Sequence, residues 1–280
     1  MSALLPFAEV IGDPIAQSKS PIIHRFWLEK LGILAEYRAT HVPPEGLAQH
    51  FVKRRSDPLW LGCNVTIPHK QAVMRYLGSL MRTAQRVGAV NCVFRTPNGL
   101  TGENSDVQGV LESIDAGDFQ REAGVACLIG AGGAARAAVH ALQTAGASEL
   151  RIIARDAEKA HSLLGHFEIS GTVHDFGDAE EALAGADTVI NASPLGMAGQ
   201  PAMPASLLAA LALTAPDSLV FDMVYAPLET ALLAAARAAD RRAVDGLTML
   251  IGQADLAFQL FFQSPPPREH DAELRGLLTQ

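Results

Sequence analysis

Cysteine is scarce in this chain: Cys63, Cys92 and Cys127 are the only 3 in 280 residues. They are odd in number, form no C-x-x-C pair and have no histidine nearby at metal-ligand spacing, which argues against a disulfide framework and against a metal site. Buried, reduced thiols are expected at all three positions. Basic charge is also short. With 22 Lys and Arg against 30 Asp and Glu, the formal net charge is -8 and the pI about 5.6. A general affinity for nucleic acid or for an anionic membrane needs a basic face, so neither partner is expected. Any anionic ligand must then be held by a few local groups. Residues 1–10 carry no basic region ahead of their apolar positions, and the longest Leu/Ala run, near 207–215, is too short to span a bilayer. The expectation is a cytoplasmic protein. Internal repeats and low-complexity segments are absent as well.

What the chain does have is apolar material, 49% of its residues, enough for two modest cores. Its most informative string is Gly130-Ala131-Gly132-Gly133-Ala134-Ala135, which follows the apolar run 125–129 and opens an alanine-rich stretch. Strand, glycine turn and helix in immediate succession form the arrangement that cradles a pyrophosphate, because backbone N–H groups at the helix N-terminus face the anion. A tight turn with close packing reads the same way in isolation. Its position near the middle of the chain requires a second folded unit before it.

Before that turn, strand-like segments at 8–11, 35–42, 59–66 and 89–94 alternate with helical ones at 21–31, 44–54 and 69–77. Ser20 followed by Pro21 fits a helix N-cap with proline at the first position, and Gly32 fits the far end. Asn98-Gly99 signals a hairpin, so one strand of the first sheet is expected to run antiparallel. A helical pattern at 104–115 leads out of this unit. Strands at 125–129, 150–153, 188–192 and 219–224 then alternate with helices at 134–145 and 228–239, an open parallel sheet with helices on both faces. The stretch 247–262 is apolar nearly all round, which suggests a helix buried between units. After the break at 264–267, residues 271–278 read as a short helix.

Several segments of the first unit end in hydroxyls, amides and charges that do not belong in a core. The loop 11–21 presents Ser18 and Ser20. Asn64, Thr66 and Lys70 stand just past a buried strand, Asn91 closes the turn from Gly88, and Asn104, Ser105 and Asp106 follow Gly102. Singly, each has an ordinary explanation: Ser20 and Asn104 as helix caps, Lys70 as a solvated helix residue, Asp106 as a first-turn acid favoured by the helix dipole. Together they match a polyhydroxylated carboxylic acid, whose carboxylate and ring hydroxyls suit hydroxyl and amide partners while a Lys/Asp pair handles a proton.

These elements, in this order, resemble the shikimate dehydrogenase family. The resemblance is carried by Ser18, Ser20, Pro21 and His24, by the string from Asn64 to Lys70, by the turn ending at Asn91, and by the stretch closing on Asp106. It continues through 130–135, 191–197, 222–227 and 246–250 with Gln253, and so spans roughly residues 7–260. It implies an α/β protein of two domains. Residues 1–106 plus 248–280 would form a mixed-sheet α/β substrate-binding catalytic domain, and 107–247 a Rossmann-type, doubly wound dinucleotide-binding domain, with the active site in the cleft between them. Lys70 and Asp106 would be the catalytic pair. Ser18, Ser20, Asn64, Thr66, Asn91, Tyr225 and Gln253 would hold the substrate. Gly130, Ala131, Gly132, Gly133, Ala134, Arg155, Asp156, Ser193, Met223, Gly246 and Met249 would hold the cofactor. The implied reaction is hydride transfer between shikimate, giving 3-dehydroshikimate, and a nicotinamide, by a monomer or homodimer.

At the end of the second strand of the nucleotide unit the chain reads Ala154-Arg155-Asp156, where NADP-dependent family members typically show Asn-Arg-Thr. A carboxylate accepts hydrogen bonds from ribose hydroxyls and meets like charge beside a 2′-phosphate. This favours NAD, with NADP as the alternative if Arg155 pairs with the phosphate. The chain also departs from the family at Gln17, Arg25, His69, Cys92 and Ser105. None of these removes a catalytic group, but they leave quinate or an amino analogue as alternatives to shikimate. A non-catalytic nucleotide-binding sensor is the alternative of a different class, and retention of both Lys70 and Asp106 weighs against it.

Overall fold

The computed structural model describes residues 4–117 and 124–280. Residues 1–3 of the N-terminal stretch, and 118–123 within the segment expected to open the nucleotide domain, lie outside it. The chain divides into two compact units. The first comprises residues 4–105 and 253–280, the second 106–252.

In the first unit the order is β1 (Phe7–Gly12), α1 (Ser20–Leu31), β2 (Glu36–His41), α2 (Leu47–Arg55), β3 (Trp60–Val65), β4 (Ser79–Leu80), α3 (Arg82–Val87), β5 (Cys92–Thr96) and β6 (Gly99–Glu103). These strands make one mixed six-stranded sheet in the order β2-β1-β3-β5-β6-β4. β1 pairs parallel with β2 and β3, and β3 with β5 antiparallel, as is the β5/β6 hairpin that Asn98-Gly99 announces. The second unit contains α4 (Asp106–Ala116), β7 (Val125–Ile129), α5 (Gly133–Thr144), β8 (Glu149–Ile153), α6 (Ala157–Phe167), β9 (Gly171–His174), α7 (Ala179–Leu183), β10 (Thr188–Asn191), α8 (Ala205–Ala210), β11 (Leu219–Asp222), α9 (Ala231–Ala238) and β12 (Arg242–Val244). Its sheet is wholly parallel, in the order β12-β11-β10-β7-β8-β9. The chain leaves β7 to one side, through β8 and β9, and returns on the other through β10, β11 and β12. That reversal is the doubly wound pattern, with a switch point between β7 and β10. α10 (Gly246–Phe262) contains the boundary between the units, and α11 (Asp271–Leu278) ends the first.

Each unit has its own core. In the first, Phe7, Ile11, Trp60, Val65, Phe51 and Val93 cluster on one face of the mixed sheet, and on α1 His24 and Trp27 meet Phe258. In the second, Ile129, Val189, Val220, Leu207, Leu211 and Leu232 fill the space between sheet and helices. All three cysteines are free and buried. Among the described residues no helix is long and apolar enough to cross a membrane.

Three local expectations need correction. Residues 69–77 do not form an α-helix; the only helical part is a 3₁₀ turn, Ala72–Tyr76, since Lys70 O, which an α-turn would offer to Met74 N–H, takes Val90 N–H at 2.7 Å and Met74 N–H goes to Gln71 O at 3.3 Å. Ser20 is not the N-cap of α1. Lys19 occupies that place without a side-chain cap, and Ser20 lies in the first turn, 8% exposed. Asn104 caps nothing either: its amide donates to Ala89 O at 2.9 Å.

Two buried groups make the first unit sensitive to acid. Glu9 is fully buried in β1, where burial raises its affinity for a proton, but His50, a bidentate Arg54 and the Thr40 hydroxyl outweigh that and hold its carboxyl down at about 2. His24 is fully buried with no hydrogen-bond partner on either ring nitrogen, and burial pushes it down to about 3. Both groups resist a proton that the unfolded chain accepts, so stability is complete above the unfolded pKa values and falls with pH toward the folded ones. His24 dominates from pH 6.5 downward, and Glu9 adds to it below about 4.5. The expected slope for the His24 proton is about 1.4 kcal/mol per pH unit between roughly pH 4 and 6. Urea midpoints measured across that window should fall less steeply for His24→Phe than for the wild type, and parallel curves would exclude His24 as the cause.

Candidate active site

The ends of β1 and β3 lie side by side, with Val10 opposite Asn64 and Ile11 opposite Val65. Backbone bonds then stitch the loops that leave them: Thr66 N–H donates to Ile11 O at 3.0 Å, and Asp13 N–H to Ile67 O at 3.0 Å. The approach is close enough that a Cβ on Gly12 would come within 2.5 Å of the Thr66 methyl, so this position requires glycine. Ser18 sits in the loop after β1, its Oγ accepting from Ser20 N–H at 3.4 Å. Thr66 follows β3. Lys70 comes next, its carbonyl accepting from Val90 N–H at 2.7 Å, while the neighbouring His69 ring bonds Val42 O at 2.6 Å.

Behind these loops runs a buried polar chain. Tyr37 Oη donates to Asn64 Oδ1 at 2.6 Å, and Asn64 Nδ2 donates to Asn91 O at 3.3 Å. Asn91 Oδ1 accepts from Ser105 N–H at 2.7 Å, and Asn91 Nδ2 donates to Ser105 Oγ at 3.1 Å. The structure thus links Asn64 with Asn91 and pins the residue immediately before Asp106. Asp106 itself is the first residue of α4 and 5% exposed. Gln253 lies in α10, 8% exposed. Tyr37 is a contributor that the sequence does not announce: in β2 the pattern marks it only as an inward residue.

In the second unit Gly130 follows β7 with φ +105°, and a Cβ there would stand 3.0 Å from Ser193 Cβ and 3.2 Å from Ser193 N. The two sides of the switch point approach closely, and only glycine allows both the backbone angle and the contact. Gly132 and Gly133, with Ala131 before and Ala134 after, open α5. A Cβ on either glycine would meet nothing within 4 Å, and no side chain caps the helix. Open space around two glycines at a helix N-terminus beside a switch point suits a pyrophosphate.

The ends of β10 and β11 are held by one carboxylate. Asp222 Oδ1 accepts from Asn191 Nδ2 at 2.9 Å and Val224 N–H at 3.0 Å, and Asp222 Oδ2 accepts from Thr230 Oγ1 at 2.7 Å. Burial raises the Asp222 pKa and these donors oppose the rise. Asn191 Oδ1 in turn accepts from Ser193 N–H at 3.0 Å and Ser193 Oγ at 2.7 Å. Ala198 N–H donates to Ala226 O at 2.8 Å, joining the loop that carries Ser193 to the one that carries Met223 and Tyr225. Tyr225 is partly buried, which raises its phenol pKa. Gly246 packs so tightly on Met223 that a Cβ would lie 2.5 Å from its carbonyl oxygen, and Met249 is buried one turn further along α10.

At the end of β8, Arg155 is exposed and Asp156 is the N-cap of α6, accepting from Lys159 N–H at 3.0 Å. Lys159 Nζ lies 2.7 Å from the other carboxylate oxygen, and these contacts lower the Asp156 pKa.

Two family models match the chain: shikimate dehydrogenase substrate binding domain over residues 10–93, and shikimate / quinate 5-dehydrogenase over 116–203. Shikimate dehydrogenase (NADP(+)) of Sphingopyxis alaskensis is 47% identical over 98% of this chain and 97% of that one. Among solved structures, shikimate 5-dehydrogenase from Thermus thermophilus, in complex with NADP(H) and shikimate, superposes with a TM-score of 0.83 at 33% identity over 98% of this chain and all of the other. Quinate dehydrogenase from Corynebacterium glutamicum, in complex with NAD, gives 0.87 at 29% identity, covering 98% and 99%.

These findings overturn the preference for NAD. The relative of highest identity given above is named for NADP(+), and the Asp156 carboxylate on which that preference rested is committed to the α6 N-terminus and to Lys159.

The Asp222 cluster yields a stability prediction. Asp222→Ala removes the acceptor of three donors, all buried, and is expected to cost about 3 kcal/mol or more. Urea denaturation checks this, and a loss below about 1 kcal/mol would show that the loops are held by other means.

Proposed function

This chain belongs to the shikimate dehydrogenase family, and from that premise we propose that it interconverts shikimate and 3-dehydroshikimate with NADP(H). Residues 1–106 with 248–280 hold the ring acid, and 107–247 hold the dinucleotide. The observation that supports the substrate side best is the polar chain in which Asn64 and Asn91 are fixed by buried partners at the strand ends. Amides held this rigidly present a set pattern of donors and acceptors, which a hydroxylated ring can match and a flexible apolar acid cannot. Ser18, Ser20, Asn64, Thr66, Asn91 and Gln253 bind its carboxylate and hydroxyls, and Tyr225 adds a phenol to that set.

In the oxidative direction the carbon bearing the 3-hydroxyl loses a hydride and its oxygen loses a proton. The nicotinamide ring, when bound, supplies the hydride acceptor. Lys70 handles the hydroxyl proton and the charge that develops on the oxygen, and Asp106 orients the ammonium and the hydroxyl. The Asn91–Ser105 bonds fix the chain just ahead of Asp106, so the carboxylate starts α4 from an anchored point.

For the cofactor, Gly130, Gly132 and Gly133 take the pyrophosphate, with Ser193, Met223, Gly246 and Met249 toward the nicotinamide end. Arg155 is exposed at the adenosine end and takes the 2′-phosphate. Asp156 does not oppose it, because Lys159 offsets its charge.

Lys70→Ala is expected to lower kcat at least about a hundredfold in a shikimate-dependent assay of NADPH formation. Near-native turnover would remove Lys70 from the mechanism, and faster turnover of quinate than of shikimate would move the substrate. Arg155→Ala is expected to reduce kcat/KM for NADP+ by roughly ten- to a hundredfold, the worth of about 1.5–3 kcal/mol for a charged hydrogen bond. The same variant with NAD+ should change little, and equal losses with both cofactors would mean that Arg155 does not read the phosphate.

A further inference from the structure

We propose that Tyr37 is the positioning residue that sets the ring-acid subsite, acting through Asn64. The inference rests on the reading of Asn64 as a ring-acid ligand. Tyr37 lies in β2, fully buried, opposite Ala8 of β1. Its phenol hydrogen goes to Asn64 Oδ1 at 2.6 Å. A group from β2, behind the site, thus grips a side chain from β3.

The Asn91 carbonyl and the Tyr37 phenol together hold the Asn64 amide in one orientation. Asn91 O lies 3.3 Å from Asn64 Nδ2 and already accepts Val65 N–H at 2.8 Å. If the amide were flipped, its oxygen would face that carbonyl, acceptor against acceptor, while the phenol would have to turn its own hydrogen away to accept from the NH₂. With the observed orientation, one Asn64 N–H remains for a ligand oxygen. An amide rotating between two states would offer a donor only part of the time and would have to be ordered on binding, at a cost in affinity.

The phenol is itself held. The His24 ring stacks on Tyr37 with centroids 4.0 Å apart and planes 4° from parallel. His24 has no hydrogen-bond partner on either ring nitrogen, and burial keeps it neutral, so it serves as a flat wall that leaves the tyrosine one position. Burial also raises the phenol well above its ordinary value, which leaves it a protonated donor across the working range. Phenylalanine would fill the same stack and keep the core, but could not hold the amide.

The test is a double-mutant cycle of Tyr37→Phe and Asn64→Ala, read by steady-state kinetics with shikimate and NADP+. In Tyr37→Phe the KM for shikimate should rise about five- to tenfold, as for the loss of one net hydrogen bond, while the KM for NADP+ stays within about twofold. In the Asn64→Ala background the same change should move the shikimate KM less than about twofold, because the group through which Tyr37 acts is gone. Effects that multiply across the two positions, an unchanged shikimate KM, or equal rises for both substrates would each overturn the inference while leaving the proposed activity standing. Absence of shikimate turnover in the wild type would instead sink the activity itself and this inference with it. Calorimetric binding of shikimate to the cofactor-free protein gives a second reading, in which Tyr37→Phe should weaken binding by a similar factor; unchanged affinity would overturn the positioning role.

Discussion

The Asn91 amide holds the strand ends of the first unit together. Its side chain engages both the N–H and the hydroxyl of Ser105, while its carbonyl takes Asn64 Nδ2 and Val65 N–H. A buried amide left unpaired would cost roughly 1–3 kcal/mol for each group, so the arrangement is nearly all-or-none. Three segments distant in sequence, after β3, before β5 and before α4, must therefore take one mutual geometry for any of them to be satisfied. Thr66, which follows Val65, and Asp106, which follows Ser105, are the proposed site positions whose backbone starts from those anchored residues.

The second unit solves the same problem with a charge. Asp222 gathers Asn191, Val224 and Thr230, and Asn191 passes the order on to Ser193. A carboxylate serves because every partner is a donor, and the charge is tolerated in a buried place because three donors replace the lost water. The two networks differ in what they demand of the sequence. The first needs amides and hydroxyls at matched positions on several segments, whereas the second needs one acid at the end of a strand and neighbours that can donate.

Much of the fold was legible because its strands are buried on both faces and read as continuous apolar runs, as at Val125–Ile129 and Leu219–Asp222, and because Asn98-Gly99 is a specific turn signal. What stayed hidden had weaker contrast. α7 and α8 are alanine-rich and very short, and β12 opens on an exposed arginine. Residues 69–77 have a helical composition, but a partner distant in sequence, Val90 N–H, claims the Lys70 carbonyl that a first α-turn needs. The residues proposed for the site stand out one by one as misplaced polar groups. Their support does not, since Tyr37 looks like an inward tyrosine and the bonds of Ser105 depend on a partner from another segment.

A βα turn places two demands on the residues after the strand: the helix N-terminus needs a cap, and the ligand needs partners. Thr and Asp both satisfy the first, so an aspartate at the position where the family typically has threonine need not change the second. Asp156 behaves as the cap, bonding Lys159 N–H, and the Lys159 ammonium draws near the oxygen that remains. Arg155 then carries the positive charge at the turn, next to a carboxylate whose field Lys159 reduces at close range. A carboxylate seen in sequence beside an arginine is read as a ribose partner only when nothing local claims it first, and here a lysine three residues on makes that claim.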